Sequence, residues 1–396
     1  MVNTRCIVWL LSFSCLPIFA ISGTASEYCC GSVKDLPLAQ QMDEAAIVLF
    51  GRFENAKVNP NGIDPGTTDF IIEKRYKDHP MIKGKDRIVV PRHIPNNKNK
   101  FIVFVDIFNG KLDPYKGTEL VNDTEMVRYI DKVMALKGRP QSERLRNAFD
   151  FLQSPEIEVS MDAYREFARS DYGDYKEMAK KLPADTLAGW LRDKKTPAYR
   201  FGLYATLLGH CGNGKHAEMM LEMINDSEKR KSSGAHGFMM AYAMLEPVKG
   251  WTFIKNLIAD KDEPFLLRYS GLQTIRFLYE VRTDVVAKDE TIARKEIIAG
   301  VRRVLKVIDM CDFAIEDLRK WKRWECSDEV LGLFNNKDYS RRIIQKSIVR
   351  YALQCDTDAA RRFVKVQRSL DKEWVDEVEE LLNLETAPPA VTPKTK

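Results

Sequence analysis

A landmark recurs through the C-terminal two thirds of this 396-residue chain. A helical run ends on an apolar residue, a polar turn follows, and a second amphipathic run begins. It reads Leu152-Gln153-Ser154, Leu191-Arg192-Asp193, Ile224-Asn225-Asp226, Ile258-Ala259-Asp260 and Phe334-Asn335-Asn336, at spacings of 39, 33, 34 and 76 residues, the last about two units long. An arginine follows three of the landmarks eight to ten residues later: Arg200, Arg268 and Arg342. The strongest internal match sets Lys261-Asp262 and Ile275-Arg276-Phe277 beside Lys337-Asp338 and Val349-Arg350-Tyr351. A helix pair of this size cannot bury its own apolar stripe, so the units must stack and share a core. Trp190, Trp251, Trp321, Trp324 and Trp374 are expected in that core, each contributing on the order of 2–3 kcal/mol if fully buried. The stretch near Val281–Ala293 interrupts the spacing, which marks a degenerate unit or an insertion.

Upstream the period is different. Ala46-Ile47-Val48-Leu49-Phe50, Thr68–Lys74, Arg87-Ile88-Val89-Val90 and Phe101-Ile102-Val103-Phe104-Val105 are short, β-branched and aromatic. Turn residues bound them: Asn59-Pro60-Asn61-Gly62, Asp64-Pro65-Gly66, Lys83-Gly84-Lys85 and Asn96-Asn97-Lys98-Asn99. Four or five short strands predict a small sheet or barrel, closed by a helix near Asp123–Leu136. A parallel sheet would need crossover helices of ten or more residues, and there is no room for them.

Two resemblances follow from these residues. The segment 26–138 resembles the netrin-like modules typified by tissue inhibitors of metalloproteinases, which are OB-type barrels. The likeness rests on Cys29 and Cys30 near the mature N-terminus, on a strand ending in Gly (Val48-Leu49-Phe50-Gly51) and on Phe70-Ile71-Ile72-Glu73-Lys74. In those inhibitors the N-terminal cysteine chelates the zinc of the target protease; here Cys29 stands a few residues in, and no further cysteine occurs before Cys211. The segment 139–384, with a turn Asp followed by a basic residue in the second helix, resembles HEAT repeats of six to seven units. Together they imply a multidomain chain, a small all-β OB-like barrel followed by an all-α HEAT-like solenoid.

The N-terminus reads as an address. Arg5 is the only charge before Glu27, the run Cys6–Ile21 is apolar, and Ser22-Gly23-Thr24-Ala25-Ser26 is small and polar. That is the pattern of a secretory signal peptide over residues 1–25, short of the roughly 20 apolar residues that span a bilayer. The expected location is extracytoplasmic, periplasmic or secreted. Of the eight cysteines, six then remain: Cys29, Cys30, Cys211, Cys311, Cys326 and Cys355. An oxidising compartment permits disulfides, with Cys29, Cys30, Cys311 and Cys326 the candidates; Cys211, Cys311, Cys326 and Cys355 fall in apolar helical stretches, where a free buried thiol is the equal alternative. For Cys29-Cys30 the alternatives to a disulfide are free thiols and, last, a soft metal such as Cu(I), for which no further Cys, His or Met ligand lies nearby. The Pro-containing segment 385–396 is expected to be a disordered tail.

Charge is balanced throughout. Residues 26–138 hold 17 basic and 16 acidic side chains and residues 139–396 hold 44 and 41, for a net formal charge of +5. That excludes the lopsided positive field on which non-specific nucleic-acid binding depends, so any electrostatic partner is read by a local patch. The chain has no HExxH, nucleophile elbow, phosphate loop or dinucleotide fingerprint, and no catalytic residue or cofactor is assigned. His210-Cys211 with His216, among Gly209, Gly212 and Gly214, is the densest soft-ligand cluster, and its histidines read as exposed loop residues rather than zinc ligands. The densest candidate for binding is Arg319-Lys320-Trp321-Lys322-Arg323-Trp324, joined by Arg341, Arg342 and Lys346. Interleaved basic and aromatic side chains suit an acidic protein segment, a phosphate or an anionic polymer; the competing reading is a solvated face answered by Glu316, Asp317, Glu325 and Asp328, with the tryptophans in the core. The expected function is an exported, non-catalytic protein-binding or scaffold protein, with no nucleic acid and no stable membrane insertion. The alternative is a metalloprotease-inhibitor-like protein acting through the β domain, or a Cys/His metal or redox protein.

Overall fold

The computed structural model describes residues 35–59, 66–95, 98–120 and 123–386. The expected signal peptide, Cys29 and Cys30, and the tail from residue 387 lie outside the described residues.

A short helix, Leu38–Glu44, leads into five antiparallel strands: β1 (Ile47–Lys57), β2 (Thr67–Lys77), β3 (Arg87–Val90), β4 (Lys100–Phe108) and β5 (Lys111–Leu120). Their order is β3-β2-β1-β4-β5, which puts β1 at the centre and β3 and β5 at the edges. The first four coincide with the apolar runs. β5 does not: it carries Pro114 and Gly117, which an edge strand tolerates because one side makes no ladder bonds. It follows β4 through Asn109-Gly110, both at positive φ (49° and 70°), with Phe108 paired to Lys111. That is the two-residue hairpin whose twist suits the strands.

Gly51 lies inside β1 and does not end it, contrary to the sequence expectation. A Cβ there would stand 1.9 Å from the Ile71 carbonyl oxygen of β2, at the register shift between Phe50 and Gly51. Glycine is what lets the two backbones close at that irregularity.

Both faces of the sheet are covered. Ile47, Leu49, Phe53, Phe70, Ile88, Val103 and Val105 form one cluster, with the Phe53 ring edge-on to Phe70 (5.0 Å) and Phe101 (4.9 Å). Val48, Phe50, Ile102 and Phe104 point the other way and join Met126, Tyr129, Ile130 and Leu145 in the core of the helical region. The change of pattern near Gly138 is therefore a change of secondary structure, while the apolar core runs straight across it.

One α-helix precedes the sheet, and the other sixteen of the seventeen among the described residues follow it. Asp123–Ala135 is the helix expected to close the β segment. Helix pairs come next: Gln141–Phe149 with Ile157–Ala168, Ala184–Arg192 with Phe201–Cys211, Gly214–Asn225 with Ala235–Leu245, and Pro247–Leu257 with Phe265–Glu280. The 76-residue gap holds one further pair, Glu290–Val304 with Cys311–Lys320, before Ser327–Gly332 with Arg342–Gln354. Asp358–Leu370 and Lys372–Thr386 end the described chain, two residues beyond the expected boundary. Second helices pack side by side, Phe201–Cys211 on Ala235–Leu245 on Phe265–Glu280, and Cys311–Lys320 on Arg342–Gln354.

The landmarks share one physical device. Ser154 Oγ accepts the N–H of Glu156 at 3.2 Å, and Oδ1 of Asp193, Asp226, Asp260 and Asn336 accepts from Lys195, Glu228, Asp262 and Asp338 at 2.9–3.0 Å. Each is a side chain bonding the backbone two residues on, which fixes the turn between paired helices. The recurring arginines divide. Arg200 and Arg268 are buried: Arg200 donates to the Leu152 carbonyl and Ser160, and Arg268 grips Asp309 with two nitrogens at 2.9 and 2.5 Å. Arg342 is exposed, its guanidinium 4.0 Å above the Trp374 ring. Of the tryptophans, Trp251 and Trp374 are buried, and Trp190, Trp321 and Trp324 are half-buried. No helix among the described residues is long and apolar enough to cross a membrane.

Candidate functional site

The basic-aromatic segment sits at the end of the helix Cys311–Lys320. The helix stops in a Schellman arrangement, with the Lys322 N–H bonded to Arg319 O and the Arg323 N–H to Leu318 O. Lys322 therefore takes the left-handed position, φ 55°, that glycine usually fills. Its side chain is exposed, as is that of Lys320. The arginines are not free. Arg319 is 3% exposed and donates to Glu316 (2.7 Å), Gln354 (2.8 Å) and Glu385 (2.9 Å). Arg350 completes this cluster on Glu316 and Glu385. Burial pushes Glu385 up, but Arg319 and Arg350 outweigh it and hold its carboxyl below the ordinary range. Arg319 is thus corrected from a partner-binding candidate to a bolt between helices.

Arg323 donates to the Tyr279 hydroxyl at 2.6 Å. Tyr279 stacks on Trp321 at 3.8 Å between centroids, and the Trp321 Nε1–H donates to Glu280 at 2.9 Å. Trp324 meets Tyr351 edge-on at 5.1 Å. These aromatics join Phe265–Glu280, Cys311–Lys320 and Arg342–Gln354 rather than forming a free platform.

Arg341, Arg342 and Lys346 lie elsewhere. Arg341 acts on Asp309 and Asp312, at the start of the helix whose far end carries Lys320 and Lys322. Ten helical residues, about 15 Å of rise, separate the two groups. The structure thus leaves two small exposed cationic groups, Lys320 with Lys322 and Arg341 with Arg342, and Lys346 is half-buried.

Among the described residues Cys311 and Cys326 are free, buried thiols, the alternative to a disulfide; Cys29 and Cys30 lie outside the described residues. Burial pushes both up, Cys311 to about 12 and Cys326 to about 11, as for small core hydrophobes. The histidines are corrected too. His210 lies in a helix, half-buried, with Nε2 2.9 Å from the Tyr172 hydroxyl, and burial pushes it down to about 4. His216 is 3% exposed and shares a capping box with Asn213.

Two features were missed by sequence reasoning. A cleft of about 540 Å³ opens where the sheet meets the first helices, lined by Asp43, Lys137, Arg144, Glu166 and Ser170. Its polar groups are committed internally: Arg144 reaches both Glu166 oxygens at 3.0 Å, Gln141 bonds Ser170, and Lys137 pairs with Asp43. One turn before Glu166, Asp162 is 3% exposed and accepts the Leu38 N–H and the Tyr129 hydroxyl, both at 2.7 Å. Burial pushes its carboxyl up to about 7 against these two donors.

The second feature is a row of exposed apolar side chains at or just before the start of four of the six second helices. Ile157 (72% exposed), Tyr199 (41%), Leu266 (56%) and Ile343 (60%) follow the landmarks Ser154, Asp193, Asp260 and Asn336. Phe265 extends it into a surface cluster, 6.1 Å from both Tyr269 and Phe313. The unit after Ile224, with Ser232 and Ser233, and the pair Glu290–Val304 with Cys311–Lys320 interrupt the row. The signal was in the sequence as an apolar residue three to seven places after four of the five turns, but a period-3.6 pattern assigns it to the core.

No family model, curated protein or solved structure matches this chain.

Proposed function

We propose that this chain is an exported, non-catalytic protein-binding protein, in which an OB-like β module precedes a HEAT-like array of helix pairs that presents one edge to an extended partner. The single observation that carries the reading is the row Ile157, Tyr199, Leu266 and Ile343, large apolar side chains left in water at the same point of four units. An isolated exposed apolar residue needs no explanation, whereas a recurring set is what an extended partner's apolar side chains would cover. The row ends beside Arg341 and Arg342, which suits a partner with an acidic residue at that end. The turn device repeated at five landmarks supports the HEAT-like reading. The central place of β1 and the separate apolar cluster on the sheet's outer face support the OB-like one.

The test is cross-linking of the mature chain in its native extracytoplasmic fraction, wild type beside the double variant Leu266→Asp/Ile343→Asp. Both positions are exposed, so stability should move by less than about 0.5 kcal/mol per site. A partner captured by wild type should be lost at least tenfold by the variant, and also, to a lesser degree, by Arg341→Glu/Arg342→Glu. Equal capture by all three would place the binding surface off this edge.

A further inference from the structure

The helix Glu290–Val304, in the unit that breaks the repeat, carries a cationic stripe. Lys295, Ala299, Arg302 and Lys306 are spaced by 4, 3 and 4 residues, so they line one face and the turn beyond it. All four are exposed. Two open clefts, of about 600 and 560 Å³, flank this face and share Ala299 and Arg302; the small Ala299 keeps the floor low between long side chains. Seven cations and three carboxylates line the pair of clefts, a local excess of four positive charges on a chain whose total excess is five. Arg294 and Arg323 are pinned against the Tyr279 ring, at 4.6 and 5.3 Å, and Arg302 pairs with Glu329 at 2.7 Å. Among the described residues Lys295 and Lys306 have no ion-pair partner.

The complement lies on the last helix of the same chain. Lys372–Thr386 has fifteen residues, as does Glu290–Val304, so each is about 22 Å long. Its exposed face reads Glu373, Glu377, Glu380, Leu381 and Leu384, with Leu381 39% and Leu384 66% exposed. The other acids of this helix are used internally: Asp376 and Glu379 pair with Arg368, and Glu385 with Arg319 and Arg350. Glu373, Glu377 and Glu380 have no ion pair among the described residues. Laid antiparallel, the two stripes bring Glu373 to Arg302 and Arg303, Glu380 and Leu381 to Lys295, and Leu384 to Ile292, which is 56% exposed. Antiparallel axes also align the helix dipoles favourably. The three carboxylates and the apolar floor of Ile298 and Val307 suit an amphipathic acidic helix better than a uniformly charged polymer. Residues 387–396 carry two lysines and no acid, so they are not the complement.

We infer that this chain associates with a second copy of itself, head to tail, by seating the helix Lys372–Thr386 of one copy along the helix Glu290–Val304 of the next. The contact is heterologous: each copy offers one groove and one acidic helix, so association continues into open chains or closes into rings. It is independent of the apolar row proposed for a different partner.

Sedimentation equilibrium of the full mature chain tests this. Weight-average mass should rise with concentration at about 0.1 M salt and return to monomer near 1 M, where the screening length falls from about 10 to about 3 Å. Lys295→Glu/Arg302→Glu/Lys306→Glu and Glu373→Lys/Glu377→Lys/Glu380→Lys should each raise the self-dissociation constant at least tenfold. Mixing the two variants, or combining all six changes in one chain, should restore association, which a folding defect could not do. A wild type that stays monomeric at low salt, or association that survives either reversal, overturns the inference. So does a wild-type monomer whose groove instead binds polyglutamate or polyphosphate, since that assigns the groove to a foreign anion.

Discussion

Asp162 is where burial and hydrogen bonding are most directly opposed. With its carboxyl near 7, the folded chain keeps a proton between about pH 4 and 7 that the unfolded chain has released. Stability from this group is full below about pH 4 and is lost as pH rises through 7. His210 and His236 act the other way. Burial pushes both down to about 4, so their contribution is present above about 6.5 and is lost as pH falls through 4. Asp162→Asn isolates the carboxyl. In denaturant titrations the wild type's advantage over this variant should shrink from pH 5 to pH 8, by about 1.4 kcal/mol per unit of displacement. A difference that is constant with pH would mean that Asp162 titrates as an ordinary carboxylate. None of this was legible in the sequence: Asp162 sits in an amphipathic helix like many other acids, and its burial depends on Leu38 and Tyr129, far away along the chain. Arg319 teaches the same lesson, because its neighbours Lys320 and Lys322 have the same charge and opposite environments.

Among elements, the helices Phe201–Cys211 and Ala235–Leu245 approach to backbone contact. A Cβ on Gly237 would stand 2.6 Å from Gly202 Cα, so the two backbones touch. Gly237→Ala must push them apart and is expected to cost roughly 1–3 kcal/mol. Gly189, mid-helix with nothing within 4 Å, is the control; Gly189→Ala should gain up to about 1 kcal/mol from helix propensity. Urea titration of both variants checks this, and equal behaviour would mean that the helices can separate freely. The element boundaries were largely readable. Four strands and the helix after them followed from β-branched runs and turn residues, and the paired helices from their landmarks. β5 was not, because edge pairing tolerates Pro114 and Gly117, which sequence reasoning counts as breakers. Gly51 misled for a related reason: a glycine inside a strand and one ending it look alike until the facing Ile71 carbonyl is known.

At the scale of the whole molecule, the β segment and the helices share a core. Val48, Phe50, Ile102 and Phe104 of the sheet pack with Met126, Tyr129 and Leu145, and Asp162 ties Leu38 and Tyr129 to the helix Ile157–Ala168. A fragment ending at Gly138 would keep the helix Asp123–Ala135 on that sheet face but lose Leu145 and the helix Ile157–Ala168, leaving the shared core open on its far side. The intact chain is expected to unfold its sheet and first helix pairs in one transition, and the fragment is expected to lose amide protection in β1 and β4. Hydrogen exchange on both measures it; full protection in the fragment would mean that the β segment stands alone.

Sequence by itself determined the local grammar of this protein: where the period changes from two to 3.6, where helix pairs turn, and which residue fixes each turn. Those are short-range matters, set by propensity and by a side chain bonding the backbone two residues away. Only the tertiary structure decided which charges are bolts and which are free, which apolar residues remain in water, and that the core ignores the boundary at Gly138. These depend on neighbours tens to more than a hundred residues away, as with Leu38 and Asp162 or Tyr172 and Arg282. A pattern of residue types along one chain carries no record of such distances.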